Sequence, residues 1–174
     1  MLEVICGGMF AGKSEQLIHR LKRASYANKK IVAFKPAIDN RYSVEEIASH
    51  SGQTFRSIAV KNTFDMTEHI TNDIDVIGID EAQFFDPFIV EFVEILSKKI
   101  DIYVAGLDLD SAGKPFGSMP HLLAIADKVT KISAVCMKCG ADATRSQRLV
   151  ASTEQVLVGA KDSYEARCRK CWTP

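Results

Sequence analysis

Residues Gly7, Gly8, Met9, Phe10, Ala11, Gly12, Lys13 and Ser14 spell G-x-x-x-x-G-K-[ST]. The run Leu2 to Cys6 before them is apolar, and Leu17, Ile18, Leu21 and Ala24 after them recur at helical spacing. Strand, glycine loop and helix in that order make a phosphate cradle. The glycines let the backbone wrap so that its N–H groups point inward, and the start of the helix adds a favourable dipole. Lys13 is then placed to reach the β- and γ-phosphates of a nucleotide, and the Ser14 hydroxyl to bind Mg²⁺.

The rest of the chain fits a fold that presents such a loop. Ile31 to Phe34 reads as a strand stopped by Pro36, and the polar stretch from Asp39 to Gln53 as a mobile loop. Ser57 to Val60 suggests a further strand and Thr63 to Ile70 a short helix. Ile74 to Ile79 is apolar apart from Asp75 and ends in Asp80-Glu81, as a central parallel strand delivering acids to a site would. Asp86 as N-cap and Pro87 at N1 open a helix whose apolar face is Phe88, Ile89, Phe92, Val93 and Leu96. Ile100 to Leu107 predicts a strand, Ser118 to Asp127 a helix and Val129 to Val135 a strand. This alternation implies α/β architecture with a parallel sheet. After Cys136 the pattern shifts to short strand-like pieces without a helix, which places a boundary near Ser133. Residues 1–132 are expected to form the nucleotide-binding domain and 133–174 a smaller one.

Composition narrows the possible partners. Of 174 residues, 22 are Lys or Arg and 22 are Asp or Glu, so the net charge is zero and no global positive field favours a nucleic-acid backbone. No apolar run approaches the roughly 18 residues of a membrane span. The N-terminus lacks a charged segment leading into a long apolar one, so a cytoplasmic chain is expected.

Asp80 at the end of its strand suits the acid that holds a Mg²⁺ hydration shell. Glu81, pointing elsewhere, is free to accept a proton from an attacking hydroxyl. The bland alternative is that the two acids cap a turn. If they are catalytic, the attacking hydroxyl belongs either to water, making an ATPase with a zinc-ribbon partner-binding module, or to a substrate, making a kinase; the local motif does not decide.

Cys136-Met137-Lys138-Cys139 and Cys168-Arg169-Lys170-Cys171 are two C-x-x-C pairs. Each pair can chelate from one turn, and two turns complete a tetrahedral zinc site tying the base of a long loop. Redox pairs or free thiols are the alternatives, although neither pair sits at a strand-to-helix junction. Cys6 reads as a small buried hydrophobe. His19, His69 and His121 fall in predicted helices as surface or packing residues, while His50 lies in the polar loop among Ser49, Ser51 and Gly52. Arg20, Lys22, Arg23, Lys29 and Lys30 read as a solvated face. Asp39 and Arg41 either act at the edge of the site or pair in a turn.

The segments GGMFAGKS, KPAIDNRYS, IDEAQFF and GLDLDSAGKPFG, together with the paired cysteines, resemble the cellular-type (type II, zinc-containing) thymidine kinases over nearly the whole chain. The resemblance implies a P-loop, RecA-like parallel-sheet core with a small C-terminal zinc-binding lasso domain. It implies ATP-dependent phosphorylation of the thymidine 5′-hydroxyl in deoxynucleoside salvage, with ATP, Mg²⁺ and structural Zn²⁺. Glu81 becomes the base. The phosphate loop, Asp39, Arg41, Asp80, Gln83 and Arg148 fall at the ATP·Mg²⁺ site. Met9, Leu107, Phe116, Ser146 and Tyr164 would surround the nucleoside, whose base edge would meet backbone groups of Val156, Leu157, Val158 and Gly159. Cys136, Cys139, Cys168 and Cys171 would hold zinc. A homotetramer inhibited by thymidine triphosphate is also implied. Two positions depart from the family pattern. Ser111 stands where an aromatic residue is typical, and Ser146 where threonine is common, which keeps the hydroxyl and removes a methyl.

Overall fold

The computed structural model describes residues 1–38, 46–49, 51–150 and 163–174. In chain order the elements are β1 (Leu2–Cys6), α1 (Lys13–Tyr26), β2 (Ile31–Pro36), β3 (Glu46–Ala48), β4 (Thr54–Arg56), β5 (Ile58–Val60), α2 (Thr63–Thr67) and β6 (Val76–Ile79). A single 3₁₀ turn (Ala82–Phe84) precedes α3 (Phe88–Leu96), β7 (Asp101–Gly106), α4 (Met119–Ile125) and β8 (Lys128–Lys131). Four short strands follow, β9 (Ala134–Val135), β10 (Asp142–Ala143), β11 (Arg145–Arg148) and β12 (Tyr164–Arg167). None of the described helices is long and apolar enough to cross a membrane.

Six strands form one sheet in the order β5-β2-β6-β7-β1-β8, and every neighbouring pair is parallel. Parallel strands require a crossover between neighbours, and the helices that provide it cover both faces. Leu2, Val4 and Cys6 project to the face covered by Met66, Ile89, Val93, Met119 and Leu122 of α2, α3 and α4. Ile5 projects to the other, with Leu17, Ile18 and Leu21 of α1. The period-2 alternation of β1 thus feeds two cores. Cys6 is among these packed side chains, and burial pushes its thiol up to about 11.

Three details differ from the sequence reading. First, the stretch expected as a loop contains β3, which pairs antiparallel with β4 and buries Ile47 against α1. Second, Val129 to Val135 is not one strand: β8 ends at Lys131, Ile132 donates its N–H to the Cys6 carbonyl at 2.9 Å, and β9 begins a separate antiparallel pair with β10. Third, Phe88 is 72% exposed and not core, while Ile89 and Val93 carry the burial of α3. Pro87 has helical angles, Asp86 Oδ1 accepts the Phe88 N–H at 3.1 Å, and Asp86 therefore caps the helix as the sequence suggests.

One buried acid links the first strand to α1 and β8. Glu3 is 3% exposed, and its Oε1 accepts from Arg20 Nη2 at 2.7 Å and Thr130 Oγ1 at 2.7 Å, with Lys128 Nζ at 3.3 Å. Burial alone would raise its pKa, but the bonds from Arg20, Thr130 and Lys128 outweigh that and hold it at about 2. A carboxylate whose pKa is depressed by folding contributes stability above its unfolded value, and that contribution is lost as pH falls through the folded one. Glu3→Gln should therefore destabilise the protein by about 1.5–3 kcal/mol at neutral pH. In urea titrations the gap between variant and wild type should narrow as pH falls from 4.5 towards 2; a gap independent of pH would remove the charged network as its source.

Candidate active site

The carboxyl ends of the parallel strands meet at one sheet edge, and the phosphate loop lies there between β1 and α1. Its backbone depends on glycine at two points. Gly7 has φ +151°, and a Cβ there would lie 2.2 Å from the Ile132 carbonyl oxygen; Gly12 has φ +88° and opens α1 without a side-chain cap. The first N–H groups of that helix are thereby left facing the loop. Phe10 also adopts positive φ, +65°. Lys13 is buried and reaches back over the loop to donate to the Gly8 carbonyl at 2.8 Å.

Ser14 Oγ donates to Asp80 Oδ2 at 2.9 Å, so the loop hydroxyl and the acid that follows β6 converge. Asp80 is buried, and burial first, then the neighbouring Glu81 charge, pushes its pKa up. A buried carboxylate beside a hydroxyl, with a second acid adjacent, is a hard-oxygen donor set that suits Mg²⁺. Glu81 sits in the left-handed region at φ 50°, a conformation that costs a non-glycine residue and concentrates at functional sites. Its N–H donates to Asp80 Oδ1 at 3.0 Å, and its carbonyl accepts from Phe84 N at 3.1 Å.

The Gln83 side chain bridges Glu81 and Leu107. Its Nε2 donates to Glu81 Oε2 at 2.6 Å, and its Oε1 accepts the Leu107 N–H at 2.9 Å. A Cβ on Gly117 would lie 2.3 Å from the Gln83 carbonyl oxygen, so the chain after Phe116 presses on the same residue. Phe116 is buried and meets Phe84 edge-on, ring centroids 5.6 Å apart. Glu81, Leu107 and Phe116 are thus joined through one 3₁₀ turn.

The C-terminal strands close over the loop. Ser146, buried on β11, accepts the Met9 N–H at 2.9 Å, and Phe10 and Ala11 pack on a small cluster of Ala134, Cys136, Ala143, Ala166 and Cys168. Arg148 Nη2 donates to the Tyr164 hydroxyl at 3.0 Å, with the guanidinium carbon 5.5 Å from the ring centroid. Asp39, Arg41, His50 and Val156 to Gly159 lie outside the described residues. His19, His69 and His121 are exposed. Two residues at this edge were not singled out from the sequence. Asp108 is buried, with Oδ2 2.7 Å from Lys131 Nζ and Oδ1 without a hydrogen-bond partner; Trp172 lies against the loop that follows β7. The first was legible only as part of GLDLDSAGKPFG, and the second carried no sequence signal beyond its place after Cys171.

The four paired cysteines come together. Their sulfurs lie within 4.8 Å of one another, with Cys139 Sγ and Cys168 Sγ 3.6 Å apart. Four thiolates about 2.3 Å from a tetrahedral zinc ion would stand about 3.8 Å apart. Backbone N–H groups favour the thiolate at Cys168, and at Cys136 they do so against burial, whereas hydrogen bonds with Cys139 and Cys168 push the Cys171 thiol up. So close a group cannot ionise fully without a cation, and its soft sulfur donors fit zinc.

A family model described as Thymidine kinase matches residues 1–172, a span that takes in the phosphate loop, the acid pair and both cysteine pairs.

Metal analysis of the purified chain should give about one zinc per chain. Cys168→Ser should lose most of it and disorder the segment between the pairs, because structural zinc supplies on the order of 10–16 kcal/mol of apparent folding energy in small peptides. Helices α1 to α4 lie outside that segment. Far-UV circular dichroism of the variant should therefore keep its helical signal; a full zinc complement in Cys168→Ser would refute a four-cysteine site.

Proposed function

The chain belongs to the thymidine kinase family, and from that premise we propose that it transfers the γ-phosphoryl group of ATP to the 5′-hydroxyl of thymidine, as a step of deoxynucleoside salvage. The observation that carries this reading is the convergence of Lys13, Ser14, Asp80 and Glu81 at one sheet edge, with Ser14 on Asp80 and Glu81 braced by Gln83.

In this reading the loop N–H groups and Lys13 bind the β- and γ-phosphates, and Ser14 and Asp80 would hold Mg²⁺, which offsets phosphate charge when bound. The 5′-oxygen attacks the γ-phosphorus, the bond to the β–γ bridging oxygen breaks, ADP leaves, and the hydroxyl proton passes to Glu81. Gln83 orients Glu81. Asp39, Arg41 and Arg148 add charge and contacts at the phosphates. Met9, Leu107, Phe116, Ser146 and Tyr164 line the nucleoside side, and backbone groups of Val156 to Gly159 read the base edge. Residues 1–132 and 133–174 act as the nucleotide-binding and zinc-binding lasso domains. A homotetrameric, cytoplasmic enzyme inhibited by thymidine triphosphate completes the proposal.

Glu81→Gln keeps the shape of the side chain and removes its capacity to take a proton. It should bind ATP and thymidine normally by calorimetry and lose about 10²- to 10⁴-fold in kcat. Near-normal turnover would exclude Glu81 as the base.

Cytosine presents a reversed donor and acceptor pattern to fixed backbone groups, leaving buried polar atoms unpaired, whereas deleting the thymine methyl loses about 1–3 kcal/mol of packing. Relative kcat/KM should therefore fall far more for deoxycytidine than for deoxyuridine. Equal use of thymidine and deoxycytidine would contradict backbone readout of the base.

A further inference from the structure

We propose that Trp172, the only tryptophan of the chain, is a positioning residue that clasps the loop after β7 to the cysteine cluster and so sets the nucleoside side of the site. The proposal rests on the kinase reading above, which supplies the roles of Leu107 and Phe116.

Trp172 follows Cys171, and its N–H donates to the Cys168 carbonyl at 3.0 Å, so its backbone is part of the second cysteine turn. Its ring leaves that turn and lies on the loop between β7 and α4. Nε1 donates to the Ser111 carbonyl at 3.3 Å. Gly113, at φ +74°, lets the ring approach, since a Cβ there would lie 2.7 Å from Trp172 Cη2. On another side the Arg145 guanidinium carbon is 5.9 Å from the ring centroid, a cation–π distance. The neighbouring Thr173 exchanges two hydrogen bonds with the Gln147 side chain, at 2.8 and 2.9 Å.

The loop under the ring is stiff enough to carry a displacement. Asp110 is buried, and its Oδ1 accepts from Ala112 N at 3.0 Å and Lys114 N at 2.9 Å. Its backbone pairs with Lys114, and Phe116 N donates to the Asp108 carbonyl at 3.2 Å. The two limbs of this hairpin-like loop end in Leu107 and Phe116, which reach Gln83 and Phe84. The connection from cysteine cluster to nucleoside wall therefore runs through contiguous contacts, with Trp172 as the step between the two. Strand β11 reaches the phosphate loop through a different residue, Ser146, which accepts the Met9 N–H.

The test compares wild type, Trp172→Ala and Trp172→Phe for zinc content, circular dichroism, and kcat and KM for both substrates. Trp172→Ala should keep its zinc and fold, raise the thymidine KM about tenfold, as loss of about 1.4 kcal/mol of binding would, and change the ATP KM less than twofold. Trp172→Phe keeps a ring on Gly113 and beneath Arg145, so it should recover most of that loss. In the wild type, thymidine should shift the tryptophan emission while an ATP analogue without nucleoside should not. An unchanged thymidine KM in Trp172→Ala with zinc retained overturns the clasp. Zinc loss in the same variant also overturns it, because Trp172 would then support the cysteine turn alone. If wild type phosphorylates no nucleoside, the kinase reading fails instead, and that failure is visible before any variant is made.

Discussion

Parallel pairing is the constraint on which the site depends. Because every neighbouring pair in the six-stranded sheet is parallel, Cys6, Pro36, Ile79 and Gly106 end on the same edge. The chain can therefore bring the phosphate loop after β1, the acids after β6 and the loop after β7 together without any long excursion. An antiparallel arrangement of the same strands would send half of these ends to the opposite edge. The register sets the relative heights: Cys6 faces Gly106 and Ile79 faces Val104, so the acid turn leaves the sheet two residues of β7 below the point where the phosphate loop leaves it.

That edge is crowded, and the crowding selects glycine. Gly7 passes under the Ile132 carbonyl, and Gly106 lies where a Cβ would be 2.6 Å from Met119 Sδ and 2.9 Å from Gln83 Oε1. Both close approaches bring backbone from one strand end against a group from another element. At Gly106 the space is shared by the Met119 thioether and the Gln83 amide, which is hydrogen-bonded to Glu81 and Leu107. Such amides are costly to bury unpaired, so Gln83 holds its neighbours in one arrangement.

The sequence made legible the elements with a long period or a chemical signature. β1, α1, β6, α3 and the cysteine cluster follow from apolar runs, caps and spacing, and all are present. The β3–β4 hairpin was not legible, because three-residue strands such as Glu46–Ala48 are too short to display alternation. The break after Lys131 was equally hidden, since Val129 to Val135 stays β-prone across the turn from one sheet to the next. Phe88 fits the apolar stripe of α3 by spacing, yet its place at the first turn puts it beyond the sheet that buries Ile89 and Val93. Side-chain direction was the least readable property. Nothing in the string DEAQFF says that Gln83 turns to Glu81 and Leu107.

The phosphate loop is shared between the two parts of the chain, and this bears on how they must cooperate. Met9 donates to Ser146, while Phe10 and Ala11 pack on the cluster around Cys136 and Cys168. The loop is thus held on one side by β1 and α1 and on the other by strands whose own apolar core, among the described residues, is five residues, two of them cysteines. So small a core buries little surface, and a metal crosslink is the usual remedy for a unit of that size. In this architecture the cysteine cluster underlies the surface on which the backbone of Met9, Phe10 and Ala11 rests.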